Sequence, residues 1–369
     1  MSSKQRNGMI DLARMLCAIC IAGAHFQTTY LEEVTTLFNG GPIAVEYFFI
    51  LSGFLLAGSA SRADASVPAW QSTWRTIKHK VISLYPVWFV ALAATFVLTA
   101  TGHDYSLGQM ITMLQESTSA YLLTTGLGLR QGVEILYSWY IPTLLLNTLI
   151  LCPWLYKDRK KFTYTAAPLI VLFGFVYLQH TYGTLMKTDE WNLVIYSGAL
   201  RGLSEMCLGV IAFEAHLWLK KHFQGRLTDA GRTFFTVVEL TSLGYGVFYM
   251  IMDFTNKMEL GIVASFVLFI TVAMSNLSWT GAVIHGRFWS WLGELSLSLY
   301  LSHGFAILIA AKLWGRMSLP LFVLAYLALC MGSMFAVHYG SKLLVCIARR
   351  VKKWLERIFM KPKEETEVM

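Results

Sequence analysis

Long apolar runs separated by short, cation-rich connections fill this chain from end to end. A membrane-crossing helix needs roughly 20 mostly apolar residues, and ten runs approach or exceed that length. They cover 9–31, 42–61, 81–101, 133–156, 164–183, 193–218, 232–254, 259–280, 288–312 and 318–348. The expected fold class is therefore an all-α polytopic membrane protein of about ten transmembrane helices. No connection is long enough to hold a water-soluble domain. The connection from Gly102 to Gly132 carries MITMLQESTSAYLLTTGL, which predicts a short helix lying in the interface over an outer opening. Trp70 to Leu84 alternates aromatic and basic residues and predicts an interfacial helix leading into the third run, where Pro86 sits early.

Composition agrees with the pattern. Of 369 residues, 56% are hydrophobic and 14% charged, with mean hydropathy +0.53, which excludes an ordinary soluble domain. A formal charge of +8 would suit nucleic acid, but the positions of the cations argue otherwise. With connections assigned alternately to two sides, 22 of the 30 Lys and Arg fall on the side holding both termini. Five fall on the other side and three (Arg14, Arg201, Lys342) within runs. The positive-inside rule then puts both termini in the cytoplasm, and the partition favours an even number of spans. The charge reports topology, so the expected partner is membrane lipid and not nucleic acid. The division is a transmembrane domain over 1–348 and a basic tail over 349–369 that ends in disorder. All six cysteines lie in apolar runs, Cys17 and Cys20 reading as small packing residues, so no disulfide framework is expected. The nine histidines show no ligand spacing, and no metal is expected. The first run is too long and too charged for a cleaved signal.

Candidate chemistry begins in that first run. Ile10 to Tyr30 carries Asp11, Arg14 and His25. At ~100° per residue, the step from Arg14 to His25 returns within about 20° of its starting azimuth while climbing roughly 16 Å. Asp11 neighbours Arg14 on the same side. One face is therefore polar and ends in a group that titrates near neutrality. Snorkelling of Asp11 and Arg14 at one end, with His25 bonding a neighbouring helix, would also account for it. Ser52 and Gly53 stand mid-run and suit close helix packing. The cluster Arg75, Lys78 and Lys80 suits either anionic lipid or the phosphates of an anionic cosubstrate. Arg201 and Glu205 are one turn apart and pair naturally. Tyr300 and His303 are placed to bond the first span or to hold a substrate; Glu134, Trp139 and Tyr140 are placed to rim an outer mouth. Glu239 has no assigned role.

Four stretches together resemble the acyltransferase-3 family of integral-membrane acyltransferases. These are RNGMIDLARML from Arg6 to Leu16, with His25 following Arg14 after ten residues, and FFILSGFLL from Phe48 to Leu56. The others are the basic stretch before Tyr85-Pro86 and LGELSLSLYLSH from Leu292 to His303. Lying in runs one, two, three and nine, they span nearly the whole chain. The resemblance implies about ten spans with cytoplasmic termini in a bacterial inner membrane. It also implies transfer of an acyl group, most often acetyl, from acetyl-CoA or another acyl-CoA. The acceptor would be a hydroxyl of an envelope carbohydrate or its glycolipid precursor. On it, Arg14 and His25 match the essential pair, Asp11 the adjacent acid and Ser52 the small residue of the SGF element. Arg75 and Lys78 fall where the family has two arginines; the lysine departs from that pattern, binding phosphate as a point charge and not as a fork. The family's W-S-L-x-x-E-x-x-F-Y element has only SWYIPTLLLN, Ser138 to Asn147, in its place, without the glutamate.

The residues fit that chemistry on their own terms. A sugar hydroxyl needs a base within hydrogen-bond reach, and a neutral His25 can take its proton. Arg14, nearer the basic side, is placed for the donor's phosphates or pantetheine arm, with Ser52, Arg75, Lys78 and Lys80 as further donor contacts. Glu134, Trp139, Tyr140, Arg201, Glu205, Tyr300 and His303 are the expected acceptor contacts. A transporter or exporter of an envelope glycan precursor is the alternative reading, and a homo-oligomer stays open.

Overall fold

In a computed structural model, which describes residues 7–102, 105–125, 127, 133, 135–192, 195–252 and 258–359, helix occupies each of the ten apolar runs in order. Asn7 caps α1 (Gly8–Phe26) by accepting the Ile10 N–H at 3.2 Å. Its side-chain amide donates to the Ala273 carbonyl at 2.7 Å, tying the first helix to the end of a distant one. After His25 and Phe26 the helix widens into a π turn, Gln27–Leu31. Thr28 and Thr29 hydroxyls donate to the Ala24 and His25 carbonyls at 3.0 and 2.5 Å, occupying backbone acceptors that the wider turn shifts. A short 3-10 turn, Gly41–Ile43, opens α2 (Ala44–Ala60). Next, α3 (Ala69–Gly102) runs unbroken through Pro86, so the expected interfacial segment and the third span are one helix.

The long connection after α3 holds α4 (Leu107–Glu116) and α5 (Thr118–Tyr121). A capping box between Ser106 and Gln109 starts α4. Then come α6 (Tyr140–Tyr164) and α7 (Ala166–Tyr182). A two-stranded antiparallel ribbon pairs Trp191 with Tyr196 and Asn192 with Ile195. It leads into α8 (Ser197–Phe223), followed by α9 (Asp229–Ile251) and α10 (Glu259–Ser275). A single turn, α11 (Thr280–Val283), precedes α12 (Arg287–Ala311) and α13 (Leu319–Phe359). Helix continues to Phe359, past the expected domain edge at 348, and Glu239, unassigned from sequence, accepts the Thr280 hydroxyl at 2.9 Å.

The protein is an all-α polytopic membrane protein, but the expected count of ten spans is too high. Among the described residues, seven helices are long and apolar enough to cross a bilayer, or up to eight if the bent pair α6–α7 is one span. The causes are local. Asn147 and Pro153 dilute α6, its φ/ψ breaks at Asp158, and it meets α7 at a 75° bend beside Lys157 and Lys161. Both α7 and α10 have only 17 residues.

Burial orders the helices. In α2 and α12, 72% of the apolar window is buried, against 22% in α3. Thus α1, α2, α8 and α12 form the interior, and α3, α7, α9 and α13 face outward. On α7, Leu169, Leu172, Phe173 and Val176 are exposed at helical spacing, as a lipid-facing stripe should be. The α2–α8 crossing relies on two glycines. A Cβ on Gly53 would collide with the Met206 carbonyl, and one on Gly209 with the Ile50 carbonyl, so the backbones meet directly.

Candidate active site

His25 closes the polar face of α1 where the π turn begins. Its ring stacks on Tyr137 with centroids 3.5 Å apart and planes 12° from parallel. The His303 ring lies on the same stack, 5.3 Å from that of His25. Tyr137 adopts a left-handed φ of 63°, a conformation that costs a non-glycine residue about 1–2 kcal/mol. The Tyr300 hydroxyl holds it there by donating to the Tyr137 carbonyl at 2.7 Å. His303 donates from Nδ1 to the Tyr300 carbonyl at 2.7 Å, since a carbonyl can only accept. That leaves Nε2 as a bare acceptor, fully buried and without a partner among the described residues. Neither ring nitrogen of His25 has a hydrogen-bond partner among the described residues.

Beside this stack lies a cavity of about 410 Å³ lined by His25, Thr125, Tyr137, Trp139, Arg201 and Tyr300, with Met186, Thr188 and Asp189 on one wall. Thr125 is buried and its hydroxyl has no partner among the described residues. Arg201 is anchored on all sides. Its guanidinium meets Glu46 at 2.7 Å and Glu205 at 3.2 Å, and donates to the Met186 carbonyl at 3.0 Å. It also lies over the Trp139 ring at 5.4 Å. Removing one member of such a buried group typically costs about 3–5 kcal/mol, because a charge is left uncompensated. Its first role is therefore to hold α2, α8 and the loops carrying Trp139 and Met186 together.

The wall carrying Met186 to Asp189 has its own tether. Glu259, fully buried in the first turn of α10, accepts from the Thr184 hydroxyl and from the Leu185 N–H at 2.6 Å. The Thr184 oxygen in turn accepts the Met186 N–H at 3.0 Å. A chain of bonds thus runs from Glu259 through Met186 to Arg201.

A second cavity, about 620 Å³, sits at the other end of α2 and is lined by Arg62, Asp64, Arg75, His79, Lys80 and Tyr156 among others. Val45 in the first cavity and Ser59 in the second are fourteen positions apart on α2, about 21 Å. The Tyr156 hydroxyl bonds Ser59 at 3.0 Å and Thr76 at 2.7 Å, fixing the floor. Hydrogen bonds from the Ser66 backbone and hydroxyl hold the Asp64 carboxyl below the usual carboxylate range, so the loop keeps one acid among the cations. Between the two cavities the Ser52 and Tyr140 hydroxyls bond each other at 3.1 Å.

A family described as an acyltransferase domain matches residues 7–339, nearly the whole chain. The chain belongs to that family. It is a multi-pass membrane acyltransferase. No curated protein and no solved structure matches it.

Within this acyltransferase, the residues singled out from sequence separate into groups. His25, Trp139, Arg201 and Tyr300 line the first cavity. His303 stands behind His25, and Glu205 behind Arg201. Tyr140 is buried and bonded to Ser52, below the mouth it was expected to rim. Glu134 lies outside the described residues. Asp11 and Arg14 meet at 3.6 Å, and Asp11 is packed so tightly on α12 that a Cβ at Gly293 would strike it. Neither lines either cavity. Arg75 and Lys80 line the basic cavity, but Lys78 does not. Sequence reasoning missed Glu46, Tyr137, Thr125 and Arg62 as site residues. Glu46 carried a signal, an acid inside an apolar run; the left-handed turn at Tyr137 carried none.

Proposed function

We propose that this acyltransferase moves an acetyl group from acetyl-CoA, or a related acyl group from its CoA thioester, to a hydroxyl of an envelope carbohydrate or glycolipid precursor. On this reading the protein sits in a bacterial inner membrane with both termini cytoplasmic. One observation carries the proposal: His25 lines a cavity with neither ring nitrogen bonded among the described residues, while its orientation is set by stacking on Tyr137.

The donor's phosphates bind in the basic cavity, where Arg62, Arg75, His79 and Lys80 converge. Its pantetheine arm extends past Ser52 and Tyr140 toward His25, along the about 21 Å of α2 that separates the two cavities. The acceptor enters the outer cavity, whose aromatic walls and hydroxyls suit a sugar's apolar faces and polar rim. As the acceptor oxygen attacks the thioester carbon, its proton passes to His25. Collapse of the tetrahedral adduct breaks the C–S bond, and the departing thiolate takes the proton back from the imidazolium. The products are an ester and free CoA thiol. His303, with Nε2 bare beside the His25 ring, polarises the pocket without contacting the donor.

Purified protein supplied with acetyl-CoA and an envelope-glycan or glycolipid extract as acceptor should release thiol. His25→Ala should lower that rate about 10²–10⁴-fold, the usual contribution of a positioned base. A His25→Ala variant as active as the parent would rule out His25 as the base.

A further inference from the structure

The outward-facing helices α3 and α13 pack where Gly340 meets Val90. On the basic side of that contact they leave a groove of about 1210 Å³. Its walls are apolar near the contact, with Ile82, Pro86 and Val87 from α3 and Val345 and Ala348 from α13. Lys342 stands beside the contact, and farther out the groove is ringed by Arg349, Arg350, Lys352 and Lys353, with Glu356 the single acid. Lys342 and Lys352 are matched by Glu294 at 3.4 Å and Glu356 at 3.7 Å. Arg349, Arg350 and Lys353 have no carboxylate partner among the described residues and are exposed.

We propose that this groove binds an anionic phospholipid of the leaflet on the basic side of the protein. The depth is right for it on two separate helices. Counting back from Gly102, Ile82 lies about 30 Å along α3, one hydrocarbon thickness. Counting from Gly340, which meets Val90 about 18 Å along α3 from Gly102, Arg349 lies about 13.5 Å farther along α13, at the edge of that core where the headgroups begin. The apolar end of the groove therefore lies level with acyl chains and the cationic end with phosphates. Charge complementarity chooses an anionic headgroup over a zwitterionic one. Positive-inside topology alone would account for cations on this side, but not for their convergence on the mouth of an apolar groove.

The test is native mass spectrometry of the full-length protein released from detergent containing equal phosphatidylglycerol and phosphatidylcholine. Retention of phosphatidylglycerol in preference to phosphatidylcholine is expected. The combined substitution Arg349→Gln, Arg350→Gln, Lys353→Gln should weaken that retention by about fivefold for each cation lost. Ala348→Trp, which fills the groove and leaves every charge in place, should weaken it as well. Lys220→Gln with Lys221→Gln, neutralising a basic cluster elsewhere on the same side, should not. Equal retention of both lipids, a loss caused equally by the Lys220 and Lys221 changes, or full binding by Ala348→Trp would each overturn the proposal. So would a lipid-free dimer that buries the groove against a second copy.

Discussion

Arg75 and Lys78 are three residues apart on α3, yet only Arg75 faces the basic cavity. A hydrogen bond from a cation to an anionic ligand contributes about 1.5–3 kcal/mol. Arg75→Gln should therefore raise the KM for acetyl-CoA about tenfold or more, with kcat little changed. Lys78→Gln should move it about twofold at most, as expected of an exposed charge. Steady-state kinetics with varied acetyl-CoA separates the two, and equal effects would place the phosphates elsewhere. At this scale the sequence was ambiguous for a simple reason: spacing on a helix places neighbours together, but the tilt of that helix against α2 and α6 chooses which of them meets the cavity.

Among the elements, two devices set the site. At the α2–α8 crossing, Gly53→Ala forces a methyl group into the Met206 carbonyl. Overpacking of this kind costs about 1–3 kcal/mol or more, and thermal unfolding in detergent should register a clear fall in Tm. Gly244→Ala on α9, where a Cβ meets nothing within 4 Å, is the matched control and should be neutral or slightly stabilising. The second device is the Glu259 tether. Glu259→Gln keeps the shape but removes an acceptor from the Leu185 N–H or the Thr184 hydroxyl. Hydrogen exchange across Thr184 to Asp189 should quicken by about tenfold or more, the equivalent of roughly 1–3 kcal/mol. Unchanged exchange there would show that the ribbon at Trp191 to Tyr196 holds the wall unaided. The helices themselves were legible in the apolar runs, but neither the directness of the glycine crossing nor the reach of an acid at residue 259 to residues 184 and 185 could be read along the chain.

For the molecule as a whole, the decisive property is sidedness. Two cavities stand at opposite ends of α2, one cationic and one aromatic, and the proposed function has donor and acceptor arrive from opposite faces. In sealed vesicles of defined orientation, acetyl-CoA offered only on the Lys- and Arg-rich side should support thiol release, and offered only on the other side should not. Activity solely from the other side would reverse the proposed orientation. By itself the sequence determined the apolar helices, the sorting of cations to one side and the polar face that joins Arg14 to His25. Those depend on composition and on a 3.6-residue period, both local. Tertiary structure alone decided the stack of His25 on Tyr137, the capture of Arg201 by Glu46 and the separation of the two cavities. It also brought the span count below ten. Each of these depends on backbone turns and helix bends that bring residues distant in sequence together, and no periodicity along the chain encodes them.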